Sequence, residues 1–171
     1  MKVLFKFFLI AIFFLSIFQN ANAKQILKYA NIDQIIKETN IGNKMLSKIN
    51  QLDQEKIKKL NSFEEELKSI ENEIKIKKNI ISEKELEKEV NDLKKKVANF
   101  NKEKNVMVKN FNNIKKKELK IFFDIINPIV QNYMSEKSID ILFNSNHIFM
   151  GNINSDLTIE LINEINNKIS D

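Results

Sequence analysis

"NQLDQEKIKKLNSFEEELKSIENEIKIKKNIISEKELEKEVNDLKKKVANFNKEKNVMVKNFNNIKKKEL", residues 50–119, contains no Gly, Pro, Cys or His. Its apolar residues keep a beat. Leu60, Phe63, Leu67, Ile70 and Ile74 alternate spacings of three and four, and Ile81 falls seven after Ile74. Leu86, Val90, Leu93, Val97 and Phe100 repeat the pattern. The same register continues through Met107, Phe111, Ile114, Ile121 and Ile125, with Lys104 and Glu118 as polar lapses. A period of about 3.5 residues is a coiled-coil seam with left-handed winding. Nearly everything between the seam positions is Lys, Glu, Asn or Asp, a solvated exterior without a visible catalytic group.

The register slips between Ile81 and Leu86. At the slip stands Ser82, with Glu85 three residues on, the capping box that opens a helix. Ser82 can also be read as a tolerated polar residue on one continuous helix, but the coincidence of slip and cap favours a break. The chain then runs out along one helix, turns at 79–82 and returns along another. At ~1.5 Å per residue the outbound leg spans roughly 50 Å and the return leg roughly 75 Å. Pro128 lies in the return leg and predicts a kink or joint near the base.

The flanks supply a body. Residues 25–32, "QILKYANI", form a strand candidate that includes Tyr29, and Ile35 and Ile36 suggest a brief helix interrupted at Gly42. In "SIDILFNS", Ile139, Ile141 and Phe143 alternate with Asp140, Leu142 and Asn144, the period of a half-buried strand. "HIFM", with Ile148 and Met150, predicts a further strand ended by Gly151. Asp156 or Thr158 can cap a last helix whose inner face carries Leu157, Leu161, Ile162 and Ile165. The predicted fold is mostly α: a long antiparallel coiled-coil hairpin inserted into a small α+β body. Residues 24–46 and 120–171 form the body, and 47–119 form the arm with its tip near 79–82. Three short strands leave open edges, and a body this small buries a limited share of its surface. Both predict association of several copies through the body.

The first residues give an address. Lys2 and Lys6 precede an apolar run from Phe7 to Phe18, and Ala21 and Ala23 occupy the small positions of a cleavage site. This is the pattern of a secretory signal peptide, 1–23; the apolar run is shorter than the ~20 residues a spanning helix needs. Removing Lys2 and Lys6 lowers the formal charge of +5 to +3, and every basic residue is Lys. Export permits disulfides, but the chain has no Cys, so stability rests on packing and assembly. A modest charge and an export signal argue against a specific nucleic-acid partner.

Single residues carry little chemistry. His147 is the only His and has no evident metal partners. The acidic residues lie in mixed-charge helices rather than as a catalytic pair. No catalytic residue, cofactor site or metal site is expected. Lys75, Lys77, Lys78, Lys84 and Lys88 cluster around the tip, and Lys94, Lys95 and Lys96 follow. They read either as a wet coiled-coil surface or as a positive fingertip for anionic lipid or acidic client loops. Phe122 and Phe123 read as packing at the arm–body joint or as lining a cavity roof.

The chain as a whole resembles the OmpH/Skp family of periplasmic chaperones for outer-membrane proteins. The resemblance is carried by "ILKYANIDQII" followed by "ET" and Gly42, by Pro128, and by "DILFNSNHIFMGNINSDLT" from Asp140 to Thr158. Leu142 stands where the family has Val, Asn144 where it has Asp, and Met150 where it has Tyr. The resemblance implies a homotrimer joined through its bodies, with three arms around a cavity. There an unfolded outer-membrane β-barrel protein is held without ATP, in the periplasm. The other reading from the residues is a structural envelope spacer, which would explain the heptads but not the strand-rich C-terminal end.

Overall fold

The computed structural model describes residues 25–169, so the expected signal peptide lies outside the described residues. The elements in chain order are β1 (Leu27–Ala30), α1 (Ile32–Glu38), α2 (Asn40–Lys77), α3 (Glu83–Glu136), β2 (Ile141–Asn144) and α4 (Thr158–Lys168). Two short 3-10 turns, Ser145–His147 and Ile153–Ser155, lie between β2 and α4. The molecule is mostly helical, with α2 and α3 packed together above a small two-stranded body.

The start of the arm is set by hydrogen bonds of side chains to backbone. Asn31 caps α1, its side chain accepting from the Gln34 amide at 3.0 Å. Thr39 ends α1 and opens α2 in the same residue. Its hydroxyl donates to the Ile35 carbonyl at 2.8 Å and accepts from the Gly42 amide at 3.2 Å, and the side chain is wholly buried. The interruption expected at Gly42 is therefore at Thr39. Gly42 lies inside the first turn of α2, where a Cβ would come 2.0 Å from the Ile36 carbonyl oxygen. Its small size lets α1 and α2 approach, rather than breaking a helix.

α2 and α3 form the hairpin. Lys78 ends α2 by donating its amide to Ile74, the chain turns, and Ser82 opens α3 with both halves of the capping box in place. Of its two readings, Ser82 marks a helix break. α3 then runs through Pro128 without interruption to Glu136. It ends in a Schellman-like turn: the Ile139 amide reaches back to Met134 at 2.8 Å, and Ser138 takes φ 54°, the left-handed region usually left to Gly.

Along the arm most of the heptad positions are half-buried, with Val97 and Ile114 exposed, and near the base the buried face of α3 shifts. Ile121 and Ile125, on the stripe by heptad counting, are each 41 % exposed, while Phe122 and Ile126 are 1 % and 3 % exposed in the core with Met45 and Ile49. The reason is that α3 there no longer faces α2 alone. It also packs against α4, so a broader face follows the 3.6-residue repeat of a straight helix, which drifts against a heptad. Phe122 sits in this core and touches Phe123 edge-on, with centroids 5.3 Å apart.

The two strands pair in parallel, with Leu27 opposite Ile141 and Ala30 opposite Asn144. Parallel neighbours need a long crossover, and here the crossover is the whole arm. Two sequence expectations are corrected. First, Ile141 and Phe143 face outward, and Leu142 packs on the core with the buried Ile139. The amides of Asp140 and Ile141 both point at the Ile26 carbonyl, at 3.0 and 3.5 Å. One carbonyl thus faces two consecutive residues, which throws the alternation counted from Ile139 by one. Second, Ile148–Met150 is not a strand. The far side of β1 is taken by Asp156, which bridges to Tyr29, and by the Leu157 amide, which donates to the Tyr29 carbonyl at 2.9 Å. The inner face of α4 buries Leu161, Ile162 and Ile165, with Leu157 at the cap position. Asp156 Oδ1 accepts from the Thr158 amide at 2.9 Å beside it.

Gly42→Ala should destabilise the protein by about 3 kcal/mol, the upper end of overpacking penalties, because the clash is with backbone. Gly151→Ala, whose Cβ would meet the Tyr29 ring at 2.6 Å, should destabilise less, since a ring can turn. Urea denaturation followed by circular dichroism measures both, and the order should not reverse.

Candidate interaction surfaces

No pocket among the described residues gathers catalytic groups. No group of three or more His, Cys, Asp or Glu among them is placed to hold a metal ion, and His147 is exposed on a 3-10 turn. What the fold presents instead is three surfaces: one on the body, one along the arm and one at the tip.

The body surface is built by hydrogen bonds that pin a loop from beneath. Asn144 and Asn152 each accept, through the side chain, from the amide two residues on, at 3.0 and 2.9 Å, and so shape the two 3-10 turns. The Tyr29 hydroxyl donates to the Asn152 carbonyl at 3.1 Å, and Lys28 Nζ donates to the Asn154 carbonyl at 2.6 Å. Gly151 packs against the Tyr29 ring with no room for a Cβ. With the backbone tied down, the side chains between point out. Phe149 is fully exposed, and Met150 and Ile153 nearly so. Beside them the outward residues Leu27, Ile141 and Phe143 are also exposed, and β2 is the open edge of the sheet. Ile148 is half-buried. An apolar patch next to an unpaired strand edge is a surface made to be covered.

Along the arm, the seam residues Leu60, Phe63, Leu67, Ile70, Leu86, Val90, Leu93 and Phe100 are half-buried, Ile74 is buried and Val97 is exposed. A two-helix stripe cannot close over its own side chains. Charged residues complete the cover. Lys56 Nζ sits 4.1 Å from the centre of the Phe111 ring, and Lys104 Nζ stands 5.8 Å from that of Phe100. Phe63 and Phe100 meet across the arm with centroids 6.2 Å apart. The two polar lapses of the heptad pattern thus have partners: Lys104 faces Glu64 at 3.9 Å, and Glu118 accepts from Lys48 at 2.7 Å. Heptad counting treats both as gaps. The signal for them was charge of opposite sign at matching heights on the two legs. Exposed pairs of this kind contribute ~0–1 kcal/mol each, so they set register more than stability.

At the tip, the five lysines are interleaved with six glutamates: Glu71, Glu73, Glu83, Glu85, Glu87 and Glu89. Lys75 pairs with Glu71 at 2.8 Å, and Lys77 crosses the hairpin to Glu89 at 3.3 Å. Lys78 caps α2, and Lys84 and Lys88 are exposed on the first turns of α3. Lys95 and Lys96, higher on the arm, face Asp92 and Glu66 at 3.2 Å each, and Lys94 is exposed. The signs are sorted by helix end. Basic residues close α2 and acidic ones open α3, as the helix dipoles favour. The tip is therefore two-signed: Lys75, Lys77 and Lys78 close α2, and Glu83, Glu85, Glu87 and Glu89 open α3 with Lys84 and Lys88 among them.

The sequence matches the family profile described as Outer membrane protein (OmpH-like) over residues 27–165. No curated protein matches it. Among solved structures, a candidate outer membrane chaperone (OmpH-like) from Caulobacter crescentus CB15 is similar, with a TM-score of 0.74 at 14% identity over 85% of this chain and 86% of that one. At that identity the likeness speaks for the fold.

The capping box at the tip should respond to acid. The Ser82 hydroxyl, and next its amide, hydrogen-bond to the Glu85 carboxylate and hold it below the ordinary Glu value of 4.5. A carboxyl lowered on folding contributes stability that is present above its unfolded value and lost as pH falls through the folded one. The start of α3 should therefore fray below about pH 4.5. NMR shifts of the Leu86 amide should report the step, and Ser82→Ala, which removes the hydroxyl but keeps the amide, should shrink it.

Proposed function

The chain belongs to the OmpH-like family, and on that premise we propose that it is an ATP-independent periplasmic holdase for unfolded outer-membrane β-barrel proteins, working as a homotrimer. The single observation that carries the reading is the combination of a pinned, outward-facing apolar body surface with a long two-helix arm whose exterior is wet. Covering the first needs other copies of the chain. Three copies joined at their bodies would set three arms around one space.

The chemistry of the arm suits loose holding. An unfolded barrel protein exposes alternating apolar side chains and unpaired strand edges, which aggregate when they meet. A wall of large apolar area would trap such a client. A wall of Lys, Glu and Asn with only narrow apolar stripes, such as the half-covered seam, binds many segments weakly and releases each. At the arm root, Ile121 and Ile125 border a shallow apolar groove with Ile41 and Met45, a second set of weak contacts at the height where a cavity roof would lie. Release then needs no nucleotide. A spacer would be served by a continuous rod, whereas α2 and α3 double back on themselves at 78–82.

Light scattering on the mature protein should give about three times the chain mass, and Phe149→Asp with Ile141→Asp should yield monomers of unchanged helix content. A wild-type monomer at micromolar concentration would remove the assembly from this reading.

The protein should keep an unfolded outer-membrane barrel soluble without nucleotide, at one assembly per client. Turbidity after dilution from urea measures it. Equal protection by a peptide covering 47–119 alone would count against enclosure, and loss of protection in the monomeric variant would support it.

A further inference from the structure

The tip carries two residues that neither the seam nor the helix dipoles explain. Ile76 is 72 % exposed and Ile80 is 79 % exposed, at the end of α2 and in the turn, while Ile74 beside them is buried in the seam. Elsewhere on the arm, the most exposed large apolar residue is Val106 at 51 %. Two β-branched side chains in water at the farthest point of a charged hairpin form a small docking patch. The charges around it say what it fits. On one flank stand Lys75, Lys77 and Lys78 with no acid from Ile74 to Ser82; on the other stand Glu83, Glu85 and Glu87, with only Lys84 among them. Among the described residues, Lys78, Glu83 and Glu87 have no ion-pair partner within the chain. A patch with a basic flank and an acidic flank is complementary to a second copy of itself placed head to tail, and head-to-tail contacts close into rings.

Resting on the trimeric reading above, we propose that the tips of neighbouring arms dock on one another. Ile76 and Ile80 meet at the centre, and the Lys flank of each tip lies against the Glu flank of the next, closing the mouth of the cavity. A contact of four or so isoleucine faces would not hold free molecules together. Arms tethered to one body meet at an effective concentration well above that of free molecules, so a weak contact is enough to bias closure. It also yields when a client pushes the arms apart. An anionic membrane would need only the basic flank and gain nothing from the acidic one, and an unfolded client has no fixed charge order to match.

Because the chain has no Cys, Asn79→Cys places a single thiol in the turn and Asn61→Cys places one on the outer arm as a control. In the full-length mature protein at low concentration, the disulfide between chains of one assembly should form at least about tenfold faster at the tip than at the control, the factor that ~1.4 kcal/mol of contact gives. Ile76→Asp with Ile80→Asp should remove that advantage without changing mass or helix content. Lys78→Glu should slow the tip disulfide, and adding Glu87→Lys in the same chain should restore it, because the signs then match again around the ring. Equal rates at the two thiols, no effect of the Asp pair, or no rescue by Glu87→Lys would overturn tip docking. So would binding of the tip to phosphatidylglycerol vesicles that the Asp pair abolishes while the tip disulfide stays at the control rate. The mass of the reduced protein separates the two readings. A monomeric mass overturns the assembly as well, whereas a trimeric mass with a slow tip disulfide overturns the docking alone.

Discussion

The seam between α2 and α3 is the interaction on which the rest of the molecule depends. β1 and β2 stand at opposite ends of the chain, with the arm between them, and each strand has four residues. Two strands that short do not hold together in water. In the folded molecule the hairpin returns the end of α3 to the start of α2, which sets the two strands side by side, so the seam offsets much of the entropy of closing so long a loop. The same arrangement explains the parallel pairing. Leaving β1 through α1 and returning through α3, the chain arrives beside its first strand running in the same direction.

The seam is also the reason the arm is soft. A core residue in the body is covered from several sides: Phe122, Ile35 and Leu161 are almost wholly inaccessible. A seam residue is covered by one partner helix and by whatever lysine or glutamate lies over it. Lys56 on Phe111 and Lys48 on Glu118 are this kind of cover. Stability therefore falls from base to tip. The joint has α1, α2, α3 and α4 around one cluster, the middle has two helices, and the tip has a capping box and a turn. A rigid base with compliant walls follows directly from how many neighbours each level has, and it suits the client-holding role proposed above.

The body surface and the tip make one point about exposed apolar residues. Isolated ones are ordinary. Phe149, Met150 and Ile153 stand together on a backbone tied down by Tyr29, Lys28 and two Asn side chains. The expense of ordering that loop has no return within a single chain. Ile76 and Ile80 are likewise grouped, at a place where Lys, Asn or Glu would serve solubility better. In both cases the geometry asks for another surface.

What the sequence alone determined is everything that depends on near neighbours. Heptad spacing gives the hairpin because an apolar stripe must face a partner. The Ser82–Glu85 pair marks the reversal because a helix start needs its amides satisfied. The faces of α4 follow from its period. What only the tertiary structure decided depends on who the neighbours are. The heptad count runs on to Ile121 and Ile125, but the buried residues are Phe122 and Ile126, because α4 joins α2 against that part of α3. Alternation predicts Ile141 and Phe143 inward, but the doubled approach to Ile26 turns them out. "HIFM" has the composition of a strand and forms none: the far side of β1 is held by Asp156 and Leu157, and the chain around it is drawn into a turn by Asn144 and packed through Gly151 on the Tyr29 ring. Gly42 reads as a break in sequence and is a contact in space. Local rules see residues three or four apart, whereas these outcomes were set by atoms far along the chain.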